Sequence, residues 1–501
     1  MPCLVLAAIF CLWIPTVVDG QNVSSPSLTN TTSCPRLRKS WDHYADAEKV
    51  TYIRALQVAM DQGLFQQFMA IHQDQLSNAQ GHGTCVFLFW HRAFLVGFEN
   101  MLRSLVDPSS PSSSSFACVT IPYYDYVQHN LDYVNQACSD IESCSAILRD
   151  LGGGATTTAS RASPRIGGVS MAGFGCVSAA PVNHFCDSPS TSSCARCVPR
   201  GRWASTFFSP DVNFNRVKAS VFAGPSIRQV TAAIELSPHN SVHSMLSGAM
   251  ANKFVSPADP IFYSHHATID LLHTIYDHCR VAPLGLSESA RRADPRVFEG
   301  CVGGDGAPIT GASTVMLQAR GGTDEATMAF FDGVPLRFDE LTDPTQLGPT
   351  NSYSYDIQGL LGSMYKLCER SGKGLPVEEE ERQRRLQHVV GGVSTTKGRA
   401  FMAWRRDVFG QAQTQGIATD SEHEMEKMMV MLYQNCLPGD VVDYTPAFKA
   451  MWNVSGVAPA KRTLDAILDG SDPIRIANWT QLNQKYFGCA GDMPQTNKSM
   501  V

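Results

Sequence analysis

Apolar residues recur at helical spacing along much of the chain. Between residues 45 and 105 proline is absent, and one apolar stripe repeats every three or four positions, through Ala47, Val50, Ile53, Leu56 and Met60. This spacing is typical of an amphipathic helix. Helical patterns return over residues 217–234, 239–250 and 399–436, and residues 260–279 form a continuous apolar run. The pattern predicts a mainly α-helical core.

Loop-like segments interrupt the helical pattern. Residues 152–215 are dominated by Gly, Ser, Thr, Pro and Cys with little periodicity, which predicts a long loop region held by disulfides. Beyond about residue 300 the sequence changes to Gly- and Thr-rich segments with strand-like pieces. The charged run EEEERQRR at 378–385 follows, and we interpret it as a solvated helix face. We therefore predict a main domain over residues 21–300 and a mixed α/β C-terminal extension over residues 301–501.

Composition and charge narrow the function classes. The 501 residues are 44% hydrophobic and 17% charged, which is a globular balance and excludes a disordered chain or a small binding module. Forty Lys and Arg stand against 46 Asp and Glu, for a net charge of -6 without a basic stripe. Nucleic acid is therefore not expected as a partner.

The N-terminus predicts secretion. Residues 3–18 are apolar but too short, and too interrupted by proline, for a membrane span, so we interpret residues 1–20 as a signal peptide. No later segment is apolar enough to span a membrane, and an extracellular protein is expected. Sequons for N-glycosylation fit this route; they begin at Asn22, Asn30, Asn453, Asn478 and Asn497.

The cysteines indicate the same compartment. The chain has 16 cysteines, of which Cys3 and Cys11 lie in the leader, and the remaining even number is consistent with full pairing in an oxidising environment. The spacing of Cys194 and Cys197 also occurs in zinc and thioredoxin-like sites. Because no second such pair exists, structural disulfides are the favoured interpretation.

Two sets of histidines carry the candidate chemistry. His239 and His243 are four residues apart, so a helix would place both imidazoles on one face. A zinc protease with this spacing would have a glutamate after the first histidine, and here Asn240 stands there. Downstream, His265 and His266 are adjacent, and Asp270 follows His266 at helical spacing as a carboxylate that could orient it.

The second set lies upstream and consists of His72, His82 and His91. Two sites of three imidazoles, without carboxylates, suit copper better than iron or manganese.

The surroundings of these histidines resemble the two copper signatures of the tyrosinase family. The first signature is matched over residues 82–99, by His82, Phe87, Leu88, Trp90, His91, Arg92, Leu95 and Glu99. The second is matched over residues 259–270, from Asp259-Pro260 through Phe262 to His266 and Asp270. The resemblance covers roughly residues 34–280.

The resemblance implies a four-helix-bundle core with two copper ions and long disulfide-held loops. It makes His72, His82 and His91 the ligands of one copper, and His239, His243 and His266 those of the other. The implied activity is oxidation of o-diphenols to o-quinones with O2 as co-substrate, with hydroxylation of monophenols such as tyrosine left open. A reversible oxygen carrier similar to hemocyanin, with phenol access blocked, is the alternative, and a metal-loaded structural protein without turnover is a third possibility.

The resemblance also implies supporting roles. Asn240 matches a position where some tyrosinases orient a water that deprotonates the phenol, and Glu235 is the nearest candidate for the partner carboxylate. Phe87 and Phe262 resemble aromatic residues that buttress ligand rings. The C-terminal extension resembles those that shield the site as a removable cap. Substrate contacts are expected from Asn240, Ser244 and the loop 251–255, whereas the oligomeric state stays open.

Overall fold

The computed structural model describes residues 34–109, 115–156, 164–187, 194, 196–319, 322–368 and 387–489. The predicted signal peptide, the charged run at 378–385 and the sequons at Asn22, Asn30 and Asn497 lie outside these residues. Contacts group residue 35 onward as one compact unit. The boundary near residue 300 stays a prediction.

Helices dominate the described residues. The α-helices are α1 Asp46–Asp61, α2 Leu64–Gln73, α3 Gln75–Gly81, α4 Phe87–Ser104, α5 Tyr126–Val134, α6 Ile141–Cys144, α7 Ala146–Asp150, α8 Phe214–Val221, α9 Ile227–Ile234, α10 Asn240–Leu246, α11 Ile261–Tyr276, α12 Glu288–Ala293, α13 Glu325–Met328, α14 Gly359–Leu367, α15 Thr396–Thr414, α16 Ser421–Cys436, α17 Pro446–Trp452, α18 Pro459–Leu468 and α19 Trp479–Phe487. A mainly helical fold was expected and is confirmed.

The strands are short. They are β1 Leu37–Arg38, β2 Arg165–Ile166, β3 Val169–Ser170, β4 Gly175–Val177, β5 Val198–Arg200, β6 Cys301–Val302, β7 Pro308–Ile309, β8 Ser354–Ile357 and β9 Val389–Val390. β8 pairs in parallel with both β1 and β9, with Leu37 opposite Ser354. The other strands form antiparallel pairs, β2 with β3, β4 with β5, and β6 with β7.

The core centres on two helices that are buried on nearly all sides. Every residue of α11 is buried, and so are most residues of α4. A helix that is apolar on all sides is stable only when other elements cover every face. The continuous apolar run of α11 in the sequence agrees with its complete burial. Between α1 and α2 the chain turns at Gly63, whose φ of 77° lies in the left-handed region that glycine adopts without strain.

A buried charge network locks α11 onto α4. The Asp270 carboxylate accepts hydrogen bonds from Arg92 Nε at 2.6 Å and from the hydroxyls of Tyr353 and Tyr355, each at 2.6 Å. Arg38 Nε donates to Glu99 at 2.9 Å, and Arg38 Nη1 makes a longer contact of 3.5 Å to Asp270. Asp270 therefore contacts arginine and tyrosine side chains, and not the imidazole of His266 as the spacing suggested.

Disulfides hold the loops and the extension. Every cysteine from Cys34 onward is disulfide-bonded. Cys194 and Cys197 do not pair with each other. The pairs with both partners identified are Cys85–Cys301, Cys138–Cys144, Cys176–Cys197, Cys186–Cys194, Cys279–Cys368 and Cys436–Cys489. No helix within the described ranges is long and apolar enough to cross a membrane.

Candidate metal centre

Three histidines from three neighbouring segments form the first cluster. His72 lies in the last turn of α2, His82 follows the end of α3, and His91 lies in α4. Each offers a ring nitrogen, and these atoms lie within 4.8 Å of one another. The sequence predicted this set, and the fold brings all three together.

The second cluster contains four histidines. His239 ends a π-helical turn, Glu235–His239, that leads directly into α10, where His243 follows one turn later. His265 and His266 come from α11, and the ring nitrogens of all four lie within 4.8 Å of one another. The fold thus brings together the three predicted histidines and adds His265.

The two clusters face each other across the bundle. The ring of His91 stacks on that of His266, with 4.1 Å between ring centroids and 12° between ring planes. The ring centroids of His82 and His239 are 6.3 Å apart. Seven imidazoles therefore form one continuous centre, with α2, α4, α10 and α11 around it.

Hydrogen bonds fix the tautomers of four of these rings. In each of these rings the Nδ1–H group donates to an oxygen of the chain. His82 donates to Asn78 O at 3.1 Å, and His91 donates to Phe87 O at 2.9 Å. His243 donates to Met250 O at 2.6 Å, and His239 donates to Asn240 Oδ1 at 3.0 Å. Each Nε2 therefore carries a lone pair. The Nε2 atoms of His82, His91 and His239 are buried without a hydrogen-bond partner. Buried orphan acceptors that converge are the donor pattern of a metal site.

Burial keeps the imidazoles neutral. It lowers the pKa of His82 and of His243 to about 3, with smaller opposing effects from their backbone hydrogen bonds. Burial and neighbouring histidines likewise hold the pKa values of His72, His91, His239 and His266 well below the ordinary value. Neutral rings with free lone pairs are the ligand form of histidine, so the centre is prepared for metal at neutral pH.

Phenylalanines support the rings from two sides. Phe262 lies 4.2 Å from His266 and 5.0 Å from His72, measured between ring centroids. Phe87 lies 4.8 Å from His91 and 4.7 Å from His239. Both phenylalanines are fully buried, so they keep the imidazoles in place and exclude water from the outer side of the rings.

Glu235 and Asn240 lie beside different clusters of the centre. Glu235 Oε1 accepts the backbone N–H of Gly83 at 2.7 Å, directly after His82. Burial raises the pKa of Glu235 to about 7, against the opposing effects of the Gly83 hydrogen bond and of Lys253. Asn240 contacts His239 through its side chain. The carboxylate thus approaches the first cluster, and the amide approaches the second.

Sequence reasoning missed two residues of the centre. Adjacent residues on a helix point to different faces, so the residue pattern offered no reason to place both His265 and His266 at the site; the ring centroid of His265 lies 5.3 Å from that of His239. Trp452, from the C-terminal extension, lies 4.5 Å from His243 and 5.4 Å from His239 between ring centroids. No local signal marks Trp452, because it is distant from every ligand in sequence.

The donor set indicates the class of metal. Both clusters offer imidazole nitrogens without a carboxylate ligand, which suits copper among the first-row metals. Carboxylate-bridged helices would be expected for iron or manganese. The residues present therefore fit two copper ions.

Comparisons with known proteins agree with this geometry. A family model described as the common central domain of tyrosinase matches residues 62–278. "Tyrosinase P" of Aspergillus terreus is 24% identical over 285 residues, which are 48% of this chain and 75% of that protein. A tyrosinase of Hahella sp. (strain CCB-MM4) is 27% identical over 198 residues, which are 39% of this chain and 37% of that protein.

The comparison with solved structures gives matches of low TM-score and low identity. A polyphenol oxidase from Thermothelomyces thermophila aligns with a TM-score of 0.39 and 18% identity, over 65% of this chain and 89% of that one. A functional unit of octopus hemocyanin aligns with a TM-score of 0.39 and 14% identity, over 67% and 72% of the two chains. Over residues 62–278, the chain is similar to the common central domain of tyrosinase.

Proposed function

We propose that the protein is a phenol oxidase that binds two copper ions and uses O2 to oxidise o-diphenols to o-quinones. The observation that carries the proposal is the pair of facing imidazole clusters with neutral rings and convergent free nitrogens. His72, His82 and His91 would hold one copper, and His239, His243 and His266 the other. When bound, two adjacent coppers would pass electrons from the diphenol to O2, two for each diphenol oxidised, so that two diphenols reduce one O2 to two waters.

The protein orients the ligand rings and excludes water from the metal centre. Hydrogen bonds at Nδ1 of four ligands orient the rings before metal binds, so little reorganisation is needed on loading. Phe87 and Phe262 keep the centre dry, which strengthens electrostatic interactions within it. The proposed phenol site lies beside Ser244 and the loop 251–255.

Glu235 and Asn240 are proposed to handle the phenol proton. With a pKa near 7, Glu235 is poised to accept a proton at neutral pH. Gly83 N–H occupies Oε1, so Oε2 is the atom available for a water that takes the hydroxyl proton of the substrate. Asn240 would orient that water while its Oδ1 holds the tautomer of His239. This pair would decide whether monophenols are hydroxylated in addition to diphenols.

The contacts of Trp452 support the proposed cap. Its indole Nε1 donates to Ala251 O at 2.8 Å, and the indole covers the rings of His82, His239 and His243. Nearby, Tyr444 hydroxyl donates to Leu236 O at 2.6 Å and lies 2.8 Å from Ser241 Oγ. We therefore propose that the extension covers the phenol site in the full chain. The same cover favours the second candidate function, an oxygen carrier without phenol turnover.

Secretion is proposed from the paired cysteines and the exposed glycosylation sequons. The complete pairing of the described cysteines fits an oxidising compartment. Of the sequons within the described ranges, Asn453 and Asn478 are both exposed, which glycosylation requires.

Copper stoichiometry and turnover test the proposed function together. The secreted chain, loaded with copper, is expected to bind two coppers and to oxidise catechols after limited proteolysis of the extension. His91→Ala and His266→Ala are each expected to leave about one copper, since each removes a ligand of a different ion. Two bound coppers with reversible O2 uptake but no turnover after proteolysis would favour the carrier. A single copper in the unchanged chain would refute the binuclear proposal.

A further inference from the structure

The loop Ala251–Val255 connects the first histidine cluster to the extension. Its Ala251 O accepts the indole N–H of Trp452. Its Lys253 O accepts a hydrogen bond from Asn78 Nδ2 at 3.2 Å, and the same Nδ2 donates to His72 O at 3.0 Å. Asn78 O in turn accepts the Nδ1–H of His82. One asparagine thus ties the backbone of Lys253 to two of the proposed copper ligands.

The ammonium group of Lys253 has no ion-pair partner among the described residues. Its described side-chain neighbour is the ring of Phe254, whose centroid lies 5.2 Å from Nζ. The side chain is half-buried, so the unpaired charge is partly withdrawn from water. Most other lysines near the core are paired, as Lys218 is with Glu422 and Lys427 with Glu424. A charge held without a partner beside a binding site is suited to a charged ligand.

Lys253 is also a fixed charge near the first cluster. Apart from histidines, it is the group whose charge lowers the pKa of His72 and of His82, each already lowered mainly by burial. Glu235 is the acid that its charge influences, but that carboxyl lies beyond ion-pair distance and has a pKa raised by burial to about 7. Lys253 therefore places a positive charge at the edge of the centre, beside the first cluster.

We propose that Lys253 is a specificity-determining residue that binds the carboxylate of an anionic phenol, so that the preferred substrates are phenolic or catecholic acids. The proposal rests on the proposed function and names its substrate class. The ring would enter over His82 and His239, where the indole of Trp452 now lies, and a carboxylate on the ring substituent would reach Nζ at the loop. Because Nζ has no ion-pair partner in the part of the chain that the structure describes, its charge would be available to the ligand.

A charge series on one ring tests the proposal. The substrates are dihydrocaffeate, methylcatechol and dopamine, which carry an anionic, a neutral and a cationic substituent. They are assayed with the copper-loaded full chain and with its Trp452→Ala variant, so that the extension does not mask binding. We expect kcat/KM for dihydrocaffeate to exceed that for dopamine about tenfold at low salt, mainly through KM, which is the size of effect of one partly screened charge pair.

Variants of the lysine separate charge from structure. Lys253→Gln is expected to bring the ratio of the two charged substrates near one, Lys253→Arg to preserve the preference, and high salt to weaken it. Lys461→Gln, which removes a surface lysine paired with Asp465, is the matched control and should keep the ratio. An equal ratio in the unchanged chain, or a preference that survives in Lys253→Gln, would overturn the proposal.

The two proposals fail in distinguishable ways. If methylcatechol is turned over but the charged substrates do not differ, only the role of Lys253 is wrong. If none of the substrates is turned over, the proposed function is wrong. Calorimetric titration of dihydrocaffeate and dopamine into the same proteins then decides the role of Lys253, because equal affinities would refute it.

Discussion

Removal of the indole of Trp452 should activate the full chain. Trp452 is 8% exposed and covers three of the proposed ligand rings, so a phenol and this indole cannot occupy the same place. If the extension is a cap, turnover of the full chain depends on the small fraction of molecules in which Trp452 has left the centre. Trp452→Ala would raise that fraction without changing any ligand.

The contacts of the Trp452 indole determine how strongly Trp452→Ala should raise the rate of the full chain. A well-packed Trp or Phe replaced by Ala costs about 3–5 kcal/mol. Part of that packing is internal to the extension, where Trp452 stacks on Phe448 at 5.5 Å between ring centroids, and it does not depend on docking. The contacts with the histidines and the hydrogen bond to Ala251 O leave about 2–3 kcal/mol that favours the closed form. Since about 1.4 kcal/mol is a factor of ten, the expected increase in rate is about 30–150-fold.

The assay compares initial rates of methylcatechol oxidation by copper-loaded full chains. Trp479→Ala is the matched control, because Trp479 lies in the same extension and packs elsewhere on the core. Both variants should bind two coppers and show one cooperative unfolding transition. An unchanged rate in Trp452→Ala, with copper content and folding intact, would refute the cap. Reversible O2 uptake without turnover in that variant would favour the oxygen carrier.

Three further outcomes follow from the geometry of the core and the centre. Glu235→Gln should lower monophenol hydroxylation about 100-fold, the lower range for loss of a general base. In the unchanged chain, the rate of monophenol hydroxylation should rise with pH through about 7. Burial raises the pKa of Glu235 to about 7, and only the carboxylate form accepts a proton. A pH–rate profile that is the same in Glu235→Gln would contradict this role. Asp270→Asn should reduce the free energy of unfolding by about 3–5 kcal/mol in urea titrations, since it removes the carboxylate that pairs with the buried charge of Arg92; a loss below about 1 kcal/mol would mean that the network contributes little. His265→Ala should retain two coppers by mass spectrometry whereas His266→Ala retains about one, and the reverse result would exchange the two assignments.

The local sequence contains much of what the fold uses. Helical spacing marks α1 and the C-terminal helices α15 and α16, and the apolar run marks α11, because these signals depend on residues within one or two turns of each other. The spacing of His239 and His243 places both on one face for the same reason. In the predicted disulfide-held loop, the described residues form two short antiparallel pairs, β2 with β3 and β4 with β5. Cys176–Cys197 joins β4 to the start of β5, and Cys186–Cys194 lies between these two strands.

Other features depend on where distant segments meet. The partner of Asp270 could not be read from its spacing to His266, since Arg92 and the two tyrosines are more than 80 residues away in either direction. The strand-like pieces after residue 300 were also weak guides, because two-residue strands such as β6 and β7 are determined by their pairing and not by propensity.

The sequence alone therefore determined the helical core, the two imidazole sets and the family resemblance, all of which rest on short motifs. Only the tertiary structure decided that the two sets face each other, that His265 joins one of them and that Trp452 lies over their rings. These contacts are determined by packing, because burial of apolar area is favourable whatever the separation of the residues along the chain. Rules of residue spacing describe only one helix at a time.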